Sequence, residues 1–164
     1  ICFVGPNQYS SFLRKHYGLT GRPGKIVGTD GDVLGEHQGV HMFTVGQRRG
    51  IGVSGPRPYY VTGIDPATST VRVGLKADTF AARFELQRVT WGGGVPCHGE
   101  PCDGAYSVQI RSRHKAANAR VRHTDAQGAS VEFDDPQSAI TPGQAAVFYR
   151  GDVVEGGGWI AKVF

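Results

Sequence analysis

Ala105-Tyr106-Ser107-Val108-Gln109-Ile110-Arg111 alternates without a break, with Tyr106, Val108 and Ile110 on one side and Ser107, Gln109 and Arg111 on the other. A period of two sends successive side chains to opposite faces of a strand, so this stretch reads as half-buried β structure. Downstream, Val121, Val131 and Phe133 continue the pattern, and Gln144 to Tyr149, Val153-Val154 and Trp159 to Phe164 close the chain in the same style. Upstream, Phe84, Leu86 and Arg88 alternate with Glu85 and Gln87 until Gly92-Gly93-Gly94 interrupts. Short strands roughly ten residues apart, with turn chemistry between them, imply a small closed barrel or a sandwich. The segment from Gly92 to Gly104 is expected to be an excursion from it.

Further toward the start the period stays at two. Lys25-Ile26-Val27 and Val33-Leu34 flank Gly28-Thr29-Asp30-Gly31-Asp32, where the Asp-Gly pair predicts a hairpin. His41 to Val45, Tyr59 to Ile64 and Val71 to Gly74 are further strand candidates, the last two joined by the turn-rich Asp65 to Thr70. One helix is expected. Asn7 offers an N-cap, Tyr9, Phe12, Leu13 and Tyr17 fall on one helical face, and Gly18 suits the C′ position. The fold class is mainly β: residues 1–18 with the short N-terminal helix, a small β-rich central domain over 19–82, and a C-terminal β domain over 83–164.

Composition agrees. Among 164 residues there are 25 glycines and 9 prolines, about one in five, and each penalises a helix interior. Hydrophobic residues at 39% and charged residues at 20% exclude a fully disordered chain. No apolar run approaches the roughly 20 residues that span a bilayer, so no membrane association is expected. Three cysteines, Cys2, Cys97 and Cys102, are too few and odd in number for a secreted disulfide framework, and fit a reducing cytosol. The chain opens on Ile1, not Met, and Ile1-Cys2-Phe3-Val4 reads like the inside of a strand; we expect the C-terminal part of a longer protein.

The formal charge of +4 is local. Arg111, Arg113, Lys115, Arg120 and Arg122 lie in one stretch with His114, His123 and no acid, and without them the chain is slightly acidic. Alternation of Arg111 with Arg113 and of Arg120 with Arg122 predicts that each pair shares one face of a strand. Such a stripe is either an ordinary solvated face or a phosphate-binding one.

Other motifs are weaker. Gly50-Ile51-Gly52-Val53-Ser54-Gly55 satisfies G-x-G-x-x-G, but Pro56-Arg57-Pro58 follows where a dinucleotide site needs a helix. Asp30-Gly31-Asp32 is accounted for by the hairpin, without calcium. Cys97, His98 and Cys102 have a C-x4-C spacing and no second pair, which makes a zinc-stabilised module a minor alternative; no metal is expected. His37 and His41 lie on a glycine-rich segment that does not present them as a ligand pair.

The landmarks Ile1-Cys2-Phe3-Val4, Pro23-Gly24-Lys25-Ile26-Val27, Val33-Leu34-Gly35-Glu36-His37, Thr44-Val45-Gly46-Gln47-Arg48-Arg49-Gly50 and Thr141-Pro142-Gly143-Gln144-Ala145-Ala146-Val147-Phe148-Tyr149-Arg150-Gly151-Asp152 occur in an order and spacing that resembles the central and C-terminal portions of the bacterial tRNA-specific 2-thiouridylases. The resemblance runs over essentially the whole chain. It implies an enzyme that makes 2-thiouridine at the wobble position of tRNA, by ATP-dependent adenylation of the C2 oxygen and sulfur transfer from a cysteine persulfide. Cys2 matches the family's persulfide-carrying cysteine, a role that needs thiolate chemistry.

By the same resemblance, Arg111 and Ser112 match a tRNA-contacting Arg-Tyr pair, with Ser in place of Tyr, and Gln144 matches a further contact. Arg113 and Lys115 extend the basic set, and His37, Gln47, Arg48 and Arg49 are candidates to face the active site. The C-terminal domain is expected to resemble the barrels of translation factors. ATP with Mg would bind an N-terminal domain that has no counterpart in this sequence, so these residues alone should not turn over. The implied partners are tRNA and a persulfide sulfur donor or relay protein, with a monomer in the cytoplasm. The family's older methyltransferase name finds no S-adenosylmethionine loop here. The competing reading is a non-catalytic RNA-binding barrel in which Cys2 is merely buried.

Overall fold

A computed structural model describes residues 12, 15–16, 21–92, 103–125 and 127–164. Of the expected helix, Phe12, Lys15 and His16 are helical, and the Phe12 and His16 rings meet one turn apart at 4.6 Å between centroids; its other residues lie outside the described set. The chain divides into two units, Ile1–Thr79 and Phe80–Phe164.

In the first unit, β1 (Gly24–Val27), β2 (Val33–His37), β3 (Tyr60–Asp65) and β4 (Thr70–Gly74) form one sheet in the order β2-β1-β4-β3. β1 and β2 are the expected hairpin, closed by Gly28 N–H donating to the Asp32 carbonyl at 2.9 Å. β1 runs parallel to β4, and β3 returns antiparallel. Ile26, Val61, Val71, Val73 and Ile51 are buried beneath it.

The strand expected over His41 to Val45 is absent. Val40–Met42 forms a 3-10 turn instead, with Met42 N–H on Gly39 O and Phe43 N–H on Val40 O, and Thr44 to Gln47 closes a second turn. These short-range bonds take up backbone groups that a strand over 41–45 would need, and pairing with a neighbour begins just after it, Gly46 N–H on Val61 O at 2.7 Å and Val61 N–H on Gln47 O at 2.9 Å.

At the β3–β4 turn, Asp65 accepts from the Thr68 hydroxyl at 2.7 Å and from the Ala67 N–H at 3.0 Å. The Thr68 hydroxyl foremost, then the Thr68 and Ala67 N–H groups and the Arg72 charge, hold the Asp65 carboxyl below its ordinary value against some desolvation. A carboxyl with a lowered folded-state pKa stabilises the fold above its unfolded value, and that contribution is lost as pH falls through the folded value. Asp65→Asn is therefore expected to lower the urea midpoint of the parent at neutral pH and to match it in acid, once Asp65 is protonated in both states.

The second unit is a closed barrel. β5 (Phe80–Trp91), β6 (Asp103–Gln109), β7 (Ala117–Asp125), β8 (Gly128–Ser138), β9 (Ala145–Arg150) and β10 (Val153–Val163) join in the order β10-β5-β8-β7-β6-β9, each pair antiparallel. Tyr106, Val108 and Ile110 point inward as their alternation requires, together with Phe84, Leu86, Phe133 and Phe148. Closure removes the unpaired edges that a sandwich would leave.

Two details differ from the simple alternation. Arg88 has φ of 53°, and at this point β5 supplies an extra residue opposite β10, so Val89 takes the inward position expected two residues after Leu86 at Arg88. Val153-Val154 and Trp159 to Phe164, read as separate segments, are one strand running through Gly156 to Gly158. A Cβ on Gly158 would lie 2.9 Å from Val89 Cγ2 and 3.0 Å from the Gln87 carbonyl, so the bulge and the glycine fit each other.

Candidate nucleic-acid interface

β6 ends at Gln109 and β7 begins at Ala117, so Arg111, Ser112, Arg113 and Lys115 sit on the loop between them. The expectation that Arg111 and Arg113 share a strand face is therefore corrected. Ile110 is fully buried at the barrel wall and the chain turns immediately after it, with His114 N–H donating to Arg111 O at 2.9 Å. Arg120 and Arg122 do share the outer face of β7, but Glu132 stands directly opposite Arg120, and Glu85 lines the same surface. The basic stretch thus separates into a loop cluster and a strand pair set among acids.

The loop is held in shape by side chains. Gln109 Nε2 donates to His114 O at 2.8 Å and to Ser112 O at 3.4 Å, while Gln109 Oε1 accepts from the Tyr149 hydroxyl at 3.2 Å. Arg111 Nη1 donates to the carbonyls of Ser138 and Ala139 at 3.0 and 3.3 Å. Gln137 Nε2 donates to Asp135 O, which leaves Gln137 Oε1 to accept from His114 Nε2 at 3.0 Å. The loop is thereby tied to the end of β8 and to β9.

Gln144 arrives from the other side. The turn Thr141 to Gln144 has Gly143 at φ 86°, a left-handed conformation that glycine adopts without a Cβ penalty. It is clamped to β10 by Gly143 N–H on Ile160 O and Ile160 N–H on Gln144 O, both at 2.8 Å. Pairing of β6 with β9, Gln109 opposite Val147, then brings turn and loop together. Gln109, Ile110, Arg111, Ser112, Gln144, Ala145 and Val147 line one open depression of about 380 Å³.

Arg111, Ser112, Arg113 and Lys115 are exposed, and among the described residues none of the three cations has a carboxylate partner. Arg111 is held by its two carbonyl contacts, and exposed cations without acids beside them are suited to phosphate oxygens. Arg111, Ser112 and Gln144 thus share one wall. Gln109, which the alternation marked only as the polar half of a strand, braces the loop that carries two of them.

The other candidates lie in the first unit. Gln47 uses both ends of its amide locally, accepting from Thr44 N–H at 3.0 Å and donating to Arg49 O at 2.9 Å, so it braces the turn that displays Arg48 and Arg49 to solvent. Arg48 borders a second open depression of about 540 Å³ with residues 50–59. His37 is 5% exposed, accepts from Gly39 N–H at Nδ1 and packs its ring on Phe43 at 5.2 Å. Its Nε2 is buried with no partner among the described residues. Cys2, Cys97, His98 and Cys102 lie outside the described residues. Among those described, no three His, Cys, Asp or Glu side chains gather as a metal site would need, and no helix is long and apolar enough to cross a membrane.

Residues 81–160 match the family model described as an aminomethyltransferase β-barrel domain, and residues 10–75 match the tRNA methyl transferase PRC-barrel domain. Among curated proteins, the tRNA-specific 2-thiouridylase MnmA of Orientia tsutsugamushi is 43% identical over 99% of this chain and 43% of its own length. The enzyme of the same name from Solibacter usitatus is 45% identical over 98% of this chain and 44% of its own, and that from Paramagnetospirillum magneticum 39% over 98% and 42%. The chain spans less than half the length of the curated relatives it matches. With two adjoining family models on its two units and relatives aligned along nearly all of it, the chain belongs to the MnmA-type family of tRNA-specific 2-thiouridylases.

Proposed function

We propose that this chain supplies the tRNA-binding surface and the sulfur-carrying cysteine of an enzyme that replaces the C2 oxygen of a wobble uridine by sulfur. The observation that carries the reading is the shared depression of Arg111, Ser112 and Gln144 on the barrel wall, beside a loop of cations without acid partners. The names of the relatives support the tRNA substrate and the thiolation. Cys2 enters through its position in the I-C-F motif, as the atom that would hold transferable sulfur, delivered by a persulfide donor protein.

ATP with Mg is assigned to a region beyond these residues. Gly50 to Gly55, which satisfies G-x-G-x-x-G, runs into Pro56-Arg57-Pro58 with no helix over residues 50–59, so this glycine pattern presents no helix N-terminus to a phosphate. This chain's part is to bind and orient tRNA. Arg111 and Arg113 would neutralise backbone phosphates, with Gln144 offering an amide to sugar or base edges. A soluble, cytoplasmic, monomeric protein completes the proposal.

The test is tRNA affinity as a function of salt. Replacing Arg111 and Arg113 by Ala is expected to weaken binding and to flatten the slope of log K against log salt by about one unit per lost phosphate contact. Arg113 has no hydrogen-bond partner among the described residues, so its single variant reports charge alone. An unchanged slope in both would reject the loop as the interface.

A further inference from the structure

Trp159 stands directly opposite Ala145 across the β9–β10 pair, and Ala145 lines the depression that holds Arg111, Ser112 and Gln144. Opposed residues of an antiparallel pair project from the same face, with Cβ atoms about 4.5–5.5 Å apart. Here that face is the outer one, because their neighbours Ala146 and Ile160 are buried. Trp159 is 48% exposed and has no ring partner among the described residues. The other tryptophan, Trp91, packs instead against Phe148 and Tyr106 with centroids 5.4 and 6.2 Å away. Two residues back along β10, on the same face, Gly157 lies opposite Val147 and contributes no side chain; a Cβ there would meet the Ala146 carbonyl at 2.5 Å. The result is an apolar floor of Ala145 and Val147, rimmed by Gln109, Arg111 and Gln144, with Trp159 on the outer face of the neighbouring strand opposite Ala145.

We propose that Trp159 is a base-stacking platform of this interface, taking an unpaired tRNA base on its indole face while Arg111 holds a neighbouring phosphate. This rests on the tRNA-binding reading above and extends it to a residue outside the basic loop and its Gln144 partner. An exposed indole on the face that carries Arg111 and its loop of cations has the two elements that single-stranded RNA recognition combines, an aromatic face for the base and positive charge for the backbone. An apolar protein partner would gain nothing from the Arg111 rim, which favours the nucleic acid.

The experiment measures binding of the intact protein to an unmodified tRNA transcript with uridine at its wobble position. Trp159→Ala is expected to weaken binding by about 5- to 150-fold, the range for losing one stacked base. Trp159→Phe should recover much of it, and neither change should move the salt slope, which Arg111→Ala does. In a Trp91→Phe background, tRNA should quench emission that a further Trp159→Phe change removes. If the parent binds and Arg111→Ala weakens it while Trp159→Ala binds like the parent, the platform is overturned and the tRNA reading stands. The face is then left to another occupant, such as a protein. Loss in Trp159→Ala without recovery in Trp159→Phe and without quenching also overturns it, as a structural effect. If the parent binds no tRNA, the reading beneath it fails.

Discussion

Replacing Cys2 by serine in the intact enzyme is expected to abolish 2-thiouridine formation while leaving tRNA affinity within about twofold of the parent, since no phosphate contact is lost. Serine is close in size and keeps a hydroxyl, so the change tests chemistry rather than packing. A sulfur carried as a persulfide needs a sulfur–sulfur bond, which an Oγ cannot provide, and the serine hydroxyl is not ionised near neutral pH as a thiol can be. The readouts are nucleoside analysis of the tRNA product and, separately, a binding isotherm. Surviving thiolation would remove Cys2 from the reaction. Loss of both thiolation and binding would place Cys2 in the structure rather than the chemistry.

The largest structural effect is expected from Phe148→Ala. Phe148 is fully buried on β9, paired with Val108 of β6 on one side and Gly156 of β10 on the other. Its ring packs against Trp91 and Tyr106 at 5.4 and 6.0 Å between centroids. Truncating a buried Phe in a packed core costs about 3–5 kcal/mol, against a total of about 5–15 kcal/mol for a typical domain. The midpoint of urea unfolding should fall accordingly with little change in slope, and Trp91 emission should shift to the red as its neighbour is removed. A loss below about 1 kcal/mol would mean that the barrel collapses around the gap, contrary to the clamp that β6 and β10 place on β9. Because β9 also follows directly on Gln144, the variant should loosen the interface before it unfolds the barrel.

Much of this architecture was legible along the chain because alternation is a local property. Tyr106, Val108 and Ile110 face inward as their spacing requires, and the Asp-Gly hairpin forms between β1 and β2. The failures are equally instructive. His41 to Val45 looks like a strand by residue type, yet its backbone is satisfied by short-range turns braced by Gln47. The strand around Arg88 keeps its pairing but gains an extra residue, and only the presence of β10 with Gly158 shows why Val89 goes inside. Arg111 and Arg113 alternate as strand residues would, but Ile110 is the last position the barrel wall accepts.

Residue order therefore settles the β class, the main hairpin and the family, since side-chain parity, turn chemistry and motif spacing are carried by consecutive residues. Closure of six strands, the meeting of Arg111 and Ser112 with Gln144, and the placing of Trp159 opposite Ala145 come from the pairings of β6 with β9 and of β9 with β10. The β9–β10 pairing is a local hairpin, but that of β6 with β9 joins segments about forty residues apart, and it is selected by the burial of a whole core and the satisfaction of every strand edge, quantities that no single stretch of sequence contains.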